Sequence, residues 1–323
     1  MYKKLIVIAF VFVACIDFDI DAPYDDINGI YLEDIRSYDF RGYKIVVEHE
    51  KGYILDVNET DIVCYDFADV SSIETVSVYH SNIIKRDFAI ADGYAYIVIQ
   101  GSGLEIVDFN QTSPQLASSL PIPGAIHSII LSDSRAFIAG NTNLYSIDVS
   151  DVGNPIQITE YAFDTLIIKA DVVSDTLYVL LSGGILQIID VTSPISPQLI
   201  AEHNLSDTTD NVSYFVKHHE YLYVTKGYDI ETYEIQEDGA LEYQSSLPFL
   251  RTINFLSIHD KYGLCFHRTF GLLYLLNLSY PSRPCIGESS EPGGIMLYGV
   301  IDNQYIYFLH PNLSILEIKE IEP

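Results

Sequence analysis

IVDFNQTSP at residues 106–114, SIDVSDVGNP at 146–155 and IIDVTSPISP at 188–197 share one plan: an apolar pair, an acid, another apolar residue, then a turn rich in Ser and Pro. Looser copies surround Asp66, Glu234, Asn277 and Glu317. The seven anchors, Asp66, Asp108, Asp148, Asp190, Glu234, Asn277 and Glu317, follow one another at steps of 40 to 44 residues. A period near forty signals a repeat architecture.

Each repeat divides into four short runs rich in Ile, Val, Tyr and Phe and bounded by Gly, Pro, Asn and Asp, which is strand chemistry. In the second repeat the runs are 83–91, 94–99, 104–109 and 115–120. A four-stranded sheet with two apolar faces must stack on its neighbours, and a radial ring leaves only short edges exposed. The expected fold is therefore all-β: a seven-bladed β-propeller of four-stranded antiparallel blades. The chain ends at Pro323, too soon after Glu317 for a full outer strand, so the spare segment 29–38 is expected to supply it and close the ring.

The stretches AYIVIQGSGLEIVDFNQTSPQ (95–115) and LYVLLSGGILQIIDVTSPISPQLI (177–200) resemble the LVIVD repeat of bacterial secreted and surface β-propeller proteins. That resemblance implies a propeller and carries no agreed activity.

The N-terminus has Lys3 and Lys4, an apolar run from Leu5 to Ala14, and Cys15. Ten apolar residues make about 15 Å of helix against roughly 30 Å of hydrocarbon, which reads as a signal peptide over 1–14. Val13-Ala14-Cys15 resembles a lipobox, with Phe12 where Leu is usual, so Cys15 is expected to carry lipid. Residues 15–28, with Asp17, Asp19, Asp21, Asp25 and Asp26, form an acidic tether ahead of a propeller domain over 29–323. These features lead to the expectation of a lipid-anchored protein of a bacterial outer membrane, with either side of that membrane, the cell surface included, left open and the anchor as its only membrane contact.

A net charge of −28 argues against sequence-independent nucleic-acid binding, which needs basic stripes. Cys64, Cys265 and Cys285 have no zinc or iron–sulfur spacing; buried free thiols are expected. Asp17, Asp19 and Asp21 alternate as in a calcium loop, but Ala22 and Asn28 stand where such a loop needs Gly and Glu. In His218-His219-Glu220 strand neighbours would point to opposite faces, so the two imidazoles converge only if the strand has already ended there; no metal or other cofactor is assigned. The Tyr residues at 96, 178, 223 and 307 recur at one repeat position and read as core packing.

Counting back six residues from the turns at Asp92, Asp133, Asp175, His219 and Asp260 selects Arg86, His127, Lys169, Ser213 and Asn254, with Lys44 nearby in the first repeat. In a propeller this end of the innermost strand rims the central channel. Three groups that are basic or readily protonated, in a chain with 17 Lys and Arg, would hold a carboxylate or phosphate there. The plainer reading is that local acids such as Asp87 and Asp171 pair with them. The expected function is a monomeric, non-enzymatic envelope module binding a protein, glycan or small anion at this face. The alternatives are a hydrolase or lyase, with His127 as acid or base and Arg86 or Lys169 as anion clamp, and a scaffold without a ligand.

Overall fold

The computed structural model describes residues 31–38, 42–206, 212–249, 251–253, 255–267, 272–290, 298–302, 305–310 and 315–322. The signal peptide, Cys15 and the acidic tether lie outside them. The strands form seven four-stranded antiparallel sheets. Six are unbroken runs of four consecutive strands, so counting uninterrupted runs alone gives six blades. These blades 1 to 6 span residues 42–79, 85–121, 126–162, 167–204, 212–248 and 255–290. The seventh sheet is composite: Tyr298–Asp302, Tyr305–His310 and Ile315–Glu322 are completed by the N-terminal strand Tyr31–Tyr38. That strand pairs antiparallel with the last one, from Tyr31 opposite Glu322 to Tyr38 opposite Leu316.

The innermost strands are Gly42–Glu48, Lys85–Ala91, Ile126–Ser132, Ile167–Val173, Val212–His218, Phe255–His259 and Tyr298–Asp302. Each touches the next, and Tyr298–Asp302 returns to Gly42–Glu48, so the ring closes with seven members. The apolar core is correspondingly divided into seven layers, each between adjacent sheets. At the closing seam Ile45, Ile54, Tyr65 and Phe67 of blade 1 meet Tyr307 and Leu309 of blade 7. The Phe67 and Tyr307 rings stack there at 4.9 Å. Gly52 is required beside them, because a Cβ would lie 2.1 Å from the Phe67 ring.

The repeated acid is a turn device. Asp66, Asp108, Asp148 and Asp190 each accept the backbone N–H two residues on, from Ala68, Asn110, Ser150 and Thr192, at 2.8 to 2.9 Å. Asn277 does the same for Ser279 at 2.8 Å, so its amide is a faithful substitute. Glu234, one methylene longer, instead accepts from the Gln244 side chain. The residue after the anchor closes the blade: its N–H donates to the first hairpin, as in Phe67 to Glu50, Phe109 to Gly93, Val149 to Ser134, Val191 to Asp175 and Leu278 to Lys261. The side chains of these five residues are buried.

Two local expectations change. The second repeat's inner strand begins at Lys85, not residue 83, which leaves Ile83 and Ile84 exposed in the linker. Cys64, Cys265 and Cys285 form no disulfide with one another; Cys64 and Cys265 are buried, but Cys285, on an outer strand, is only half-buried. Tyr53, Tyr96, Tyr178, Tyr223 and Tyr307 share the third position of their second strands and are all buried.

Hydrogen bonds from the Ser150 side chain and backbone hold the Asp148 carboxyl below its ordinary value of 3.8. A lowered folded-state value gives stability that is complete above the unfolded value and lost as pH falls through the folded one. Asp148→Asn should therefore unfold like the wild type at neutral pH and keep more of its stability below about pH 4. Asp148→Ala should lose up to about 1 kcal/mol at neutral pH. Urea unfolding at several pH values checks both; an Asn variant as weakened as the Ala variant would contradict the turn role.

Candidate functional site: the channel mouth

The inner strands of blades 1 to 5 each carry a register shift one residue in from the start, which leaves Tyr43, Arg86, His127, Ile168 and Ser213 as the unpaired extra residues. A bulge turns such a residue out of the ladder and re-aims its side chain. Arg86, His127 and Ser213 thus occupy one structural position. Lys169 does not: the blade 4 turn residue with positive φ is Ser174, matching Asp92, Asp133, His219 and Asp260, so counting from Asp175 slips by one. Ile168 is the bulge residue, and Lys169 shares the next position with Lys44, Asp87, Ser128 and Tyr214.

The two tiers still converge. A cavity of about 360 Å³ at the mouth is lined by Tyr43, Lys44, Arg86, Asp87, His127 and Lys169, together with Asp171 and Tyr214. Ser213 is not part of the lining; its hydroxyl lies 3.0 Å from Thr225 Oγ1 and donates to the Ile253 carbonyl at 3.4 Å. Asn254 lies outside the described residues, as do linker residues 207–211 and 291–297.

The charges at the mouth are unequally matched. Lys44 Nζ contacts Asp87 Oδ1 at 2.5 Å and donates to the Phe88 carbonyl at 2.8 Å. Asp87 Oδ2 accepts the Ile129 N–H at 2.9 Å, so one carboxylate ties blades 1, 2 and 3 together. Arg86 pairs with Glu59 at 3.3 Å and with the Gln100 amide oxygen, rather than with Asp87. Asp171 accepts the Val172 N–H at 2.9 Å and lies in the field of Lys217. Lys169 stands apart: its ammonium sits 3.9 Å from the Tyr214 ring centre and 5.3 Å from that of Phe215. Among the described residues no carboxylate lies within 4.0 Å of it. His127 makes no hydrogen bond among them either.

Two further features bear on chemistry. His219 occupies the turn after the strand ends, so its ring comes within 4.2 Å of His218. Burial, then the His219 charge, pulls the His218 imidazole below its ordinary value. No group of three or more His, Cys, Asp or Glu suited to a metal occurs among the described residues. Lys85, which the repeat count overlooked, is fully buried. It donates to the Thr60 and Ile83 carbonyls beneath the Tyr79 ring, pinning the linker that leads to Arg86. Its signal in sequence was a lysine where the other repeats begin their strands with an apolar residue or Gly.

Asp87→Ala should leave the Lys44 ammonium and the Ile129 N–H without their partner, at a cost of about 2–4 kcal/mol. Asp87→Asn should recover part of that loss by accepting from one of the two. Guanidinium unfolding of both variants measures it, and an Ala variant within about 0.5 kcal/mol of wild type would remove the three-blade tie.

Residues 85–120 and 123–162 match the LVIVD repeat, one match over blade 2 and one over blade 3. No curated protein matches the chain. Among solved structures, the Cps50 (Swd1) β-propeller domain of Myceliophteria thermophila is similar with a TM-score of 0.72 at 10% identity, covering 90% of this chain and 99% of that one. BamB from Moraxella catarrhalis is similar with a TM-score of 0.63 at 10% identity, covering 90% and 98%. At such identity the likeness speaks to fold alone. Repeats, ring and neighbours agree: the chain is a β-propeller that carries LVIVD repeats.

Proposed function

We propose that the protein is a non-catalytic interaction module of the cell envelope that engages its partner through the channel-mouth face. One observation carries this reading: the mouth holds Lys169, with no carboxylate within 4.0 Å among the described residues, and exposed aliphatic side chains lie on the strands and linkers that reach it. Ile83, Ile84, Leu166 and Ile168 are each between 44 and 51% exposed there, beside Tyr43 at 43%. Apolar groups gathered on one face mark an interaction site more than single exposed residues do.

The closing strand supports an outward-facing arrangement. Inner strands start at the mouth, so Tyr298, Leu309, Leu316 and Tyr38 lie at the mouth end of blade 7, and Asp302, Tyr305, Glu322 and Tyr31 at the far end. The chain enters at Tyr31, on the face away from the mouth. A lipid at Cys15 would hold that far face toward the membrane and present the mouth to its surroundings. No helix among the described residues is long and apolar enough to cross a membrane.

Photo-crosslinking residues placed at 83 and 166, with a far-face control at the exposed Asp151, test the proposal in the native cells. Adducts should form from 83 and 166 and not from 151. Adducts from 151 alone, or none from the mouth, would contradict it.

A further inference from the structure

The mouth also indicates what enters it, an inference that rests on the interaction reading above. Of the cations lining the cavity, Lys44 is neutralised by Asp87 and Arg86 is held by Glu59. The opposing acid, Asp171, already has the Val172 N–H and the field of Lys217. The Lys169 ammonium is left with only aromatic faces among the described residues, 3.9 Å from the Tyr214 ring centre. A cation on a ring keeps much of its donor capacity, since the ring occupies one side. His127 lines the same cavity with no hydrogen bond among the described residues.

The cavity's size and surroundings narrow the choice. At about 360 Å³ it lies near the lower end of the roughly 300–1,000 Å³ typical of ligand pockets, room for a side chain and its neighbours. Exposed aliphatic side chains adjoin it among polar ones: Ile168 in the lining, with Ile83, Ile84 and Leu166 on the linkers that lead into the lining strands, beside the exposed Asn82, Asp164 and Thr165. A sugar acid or free phosphate would satisfy the ammonium but leave these groups in water. An acidic side chain carried between aliphatic residues covers both. We infer that the mouth binds a partner protein through a segment in which one Asp or Glu, seated on Lys169, is flanked by aliphatic side chains that cover the Ile83, Leu166 and Ile168 surface. The full chain's −28 charge repels acidic partners at long range, so recognition depends on this local contact.

The test is selection from a random 12-residue displayed peptide library on the immobilised full-length protein, followed by fluorescence anisotropy with the synthesised winners. Enriched peptides should share one acid between aliphatic residues. Replacing that acid by its amide, or making Lys169→Met, which keeps an apolar stem on Tyr214, should each weaken binding at least tenfold. The two changes combined should cost little more than either alone, and Lys169→Arg should restore most of the affinity; circular dichroism melting confirms that each variant is folded. Winners without an acid, equal binding to Lys169→Met, no enrichment, or Lys169-dependent binding of oligogalacturonate or inorganic phosphate in place of peptides would each overturn the inference. Mouth-face crosslinks seen alongside such a failure would leave the interaction reading standing with a different occupant; their absence would remove both.

Discussion

Every sheet in this protein has two apolar faces, and each face is covered only by the sheet beside it. Seven core layers lie between seven sheets, so no blade has a core of its own. A ring satisfies this without a capping element, provided the first and last blades meet. Ile45, Ile54 and Phe67 against Tyr307 and Leu309 make that meeting apolar, and the N-terminal strand hydrogen-bonded to Ile315–Glu322 makes it hard to open. Joining the two ends of the chain in one sheet converts a stack that would fray at its ends into a closed object.

The repeated acid belongs to that architecture and not to chemistry at a site. Its carboxylate takes the N–H of a tight turn, and the residue after it links the third strand back to the first hairpin. Any side chain with an acceptor at that reach serves, which is why Asn277 is tolerated. At the other end of the blades a bulge presents Tyr43, Arg86, His127, Ile168 and Ser213 at one structural position.

Much of the fold was legible because it follows from local chemistry: a period near forty, hairpin turns at Asp92 and Asp133, and a final repeat short of one strand. The site was legible in part. Counting from the turns reached Arg86 and His127, which share a bulge position, and reached Lys169 by a one-residue slip, because Ser174 and not Asp175 adopts the positive φ. Both tiers line the cavity, so the slip did not misplace the lysine in space. What could not be read were the pairings: Lys44 with Asp87 and Arg86 with Glu59 join different blades, 43 and 27 residues apart, and depend on how neighbouring sheets are rotated. Those pairings leave Lys169 as the lining lysine with no carboxylate within 4.0 Å among the described residues.

The proposed binding face is therefore only as well defined as the ring that holds it, since residues from blades 1 to 5 must keep their positions around one cavity. Native-state hydrogen exchange on the full chain and on a chain beginning at residue 39 tests this most directly. The account predicts that amides of Ile315–Glu322 are protected as strongly as those of Gly42–Glu48 in the full chain. Without residues 1–38, exchange in blades 7 and 1 should speed up together by at least about tenfold. Unchanged protection in the shortened chain, or a last strand that exchanges freely in the full one, would contradict closure of the ring by its two ends.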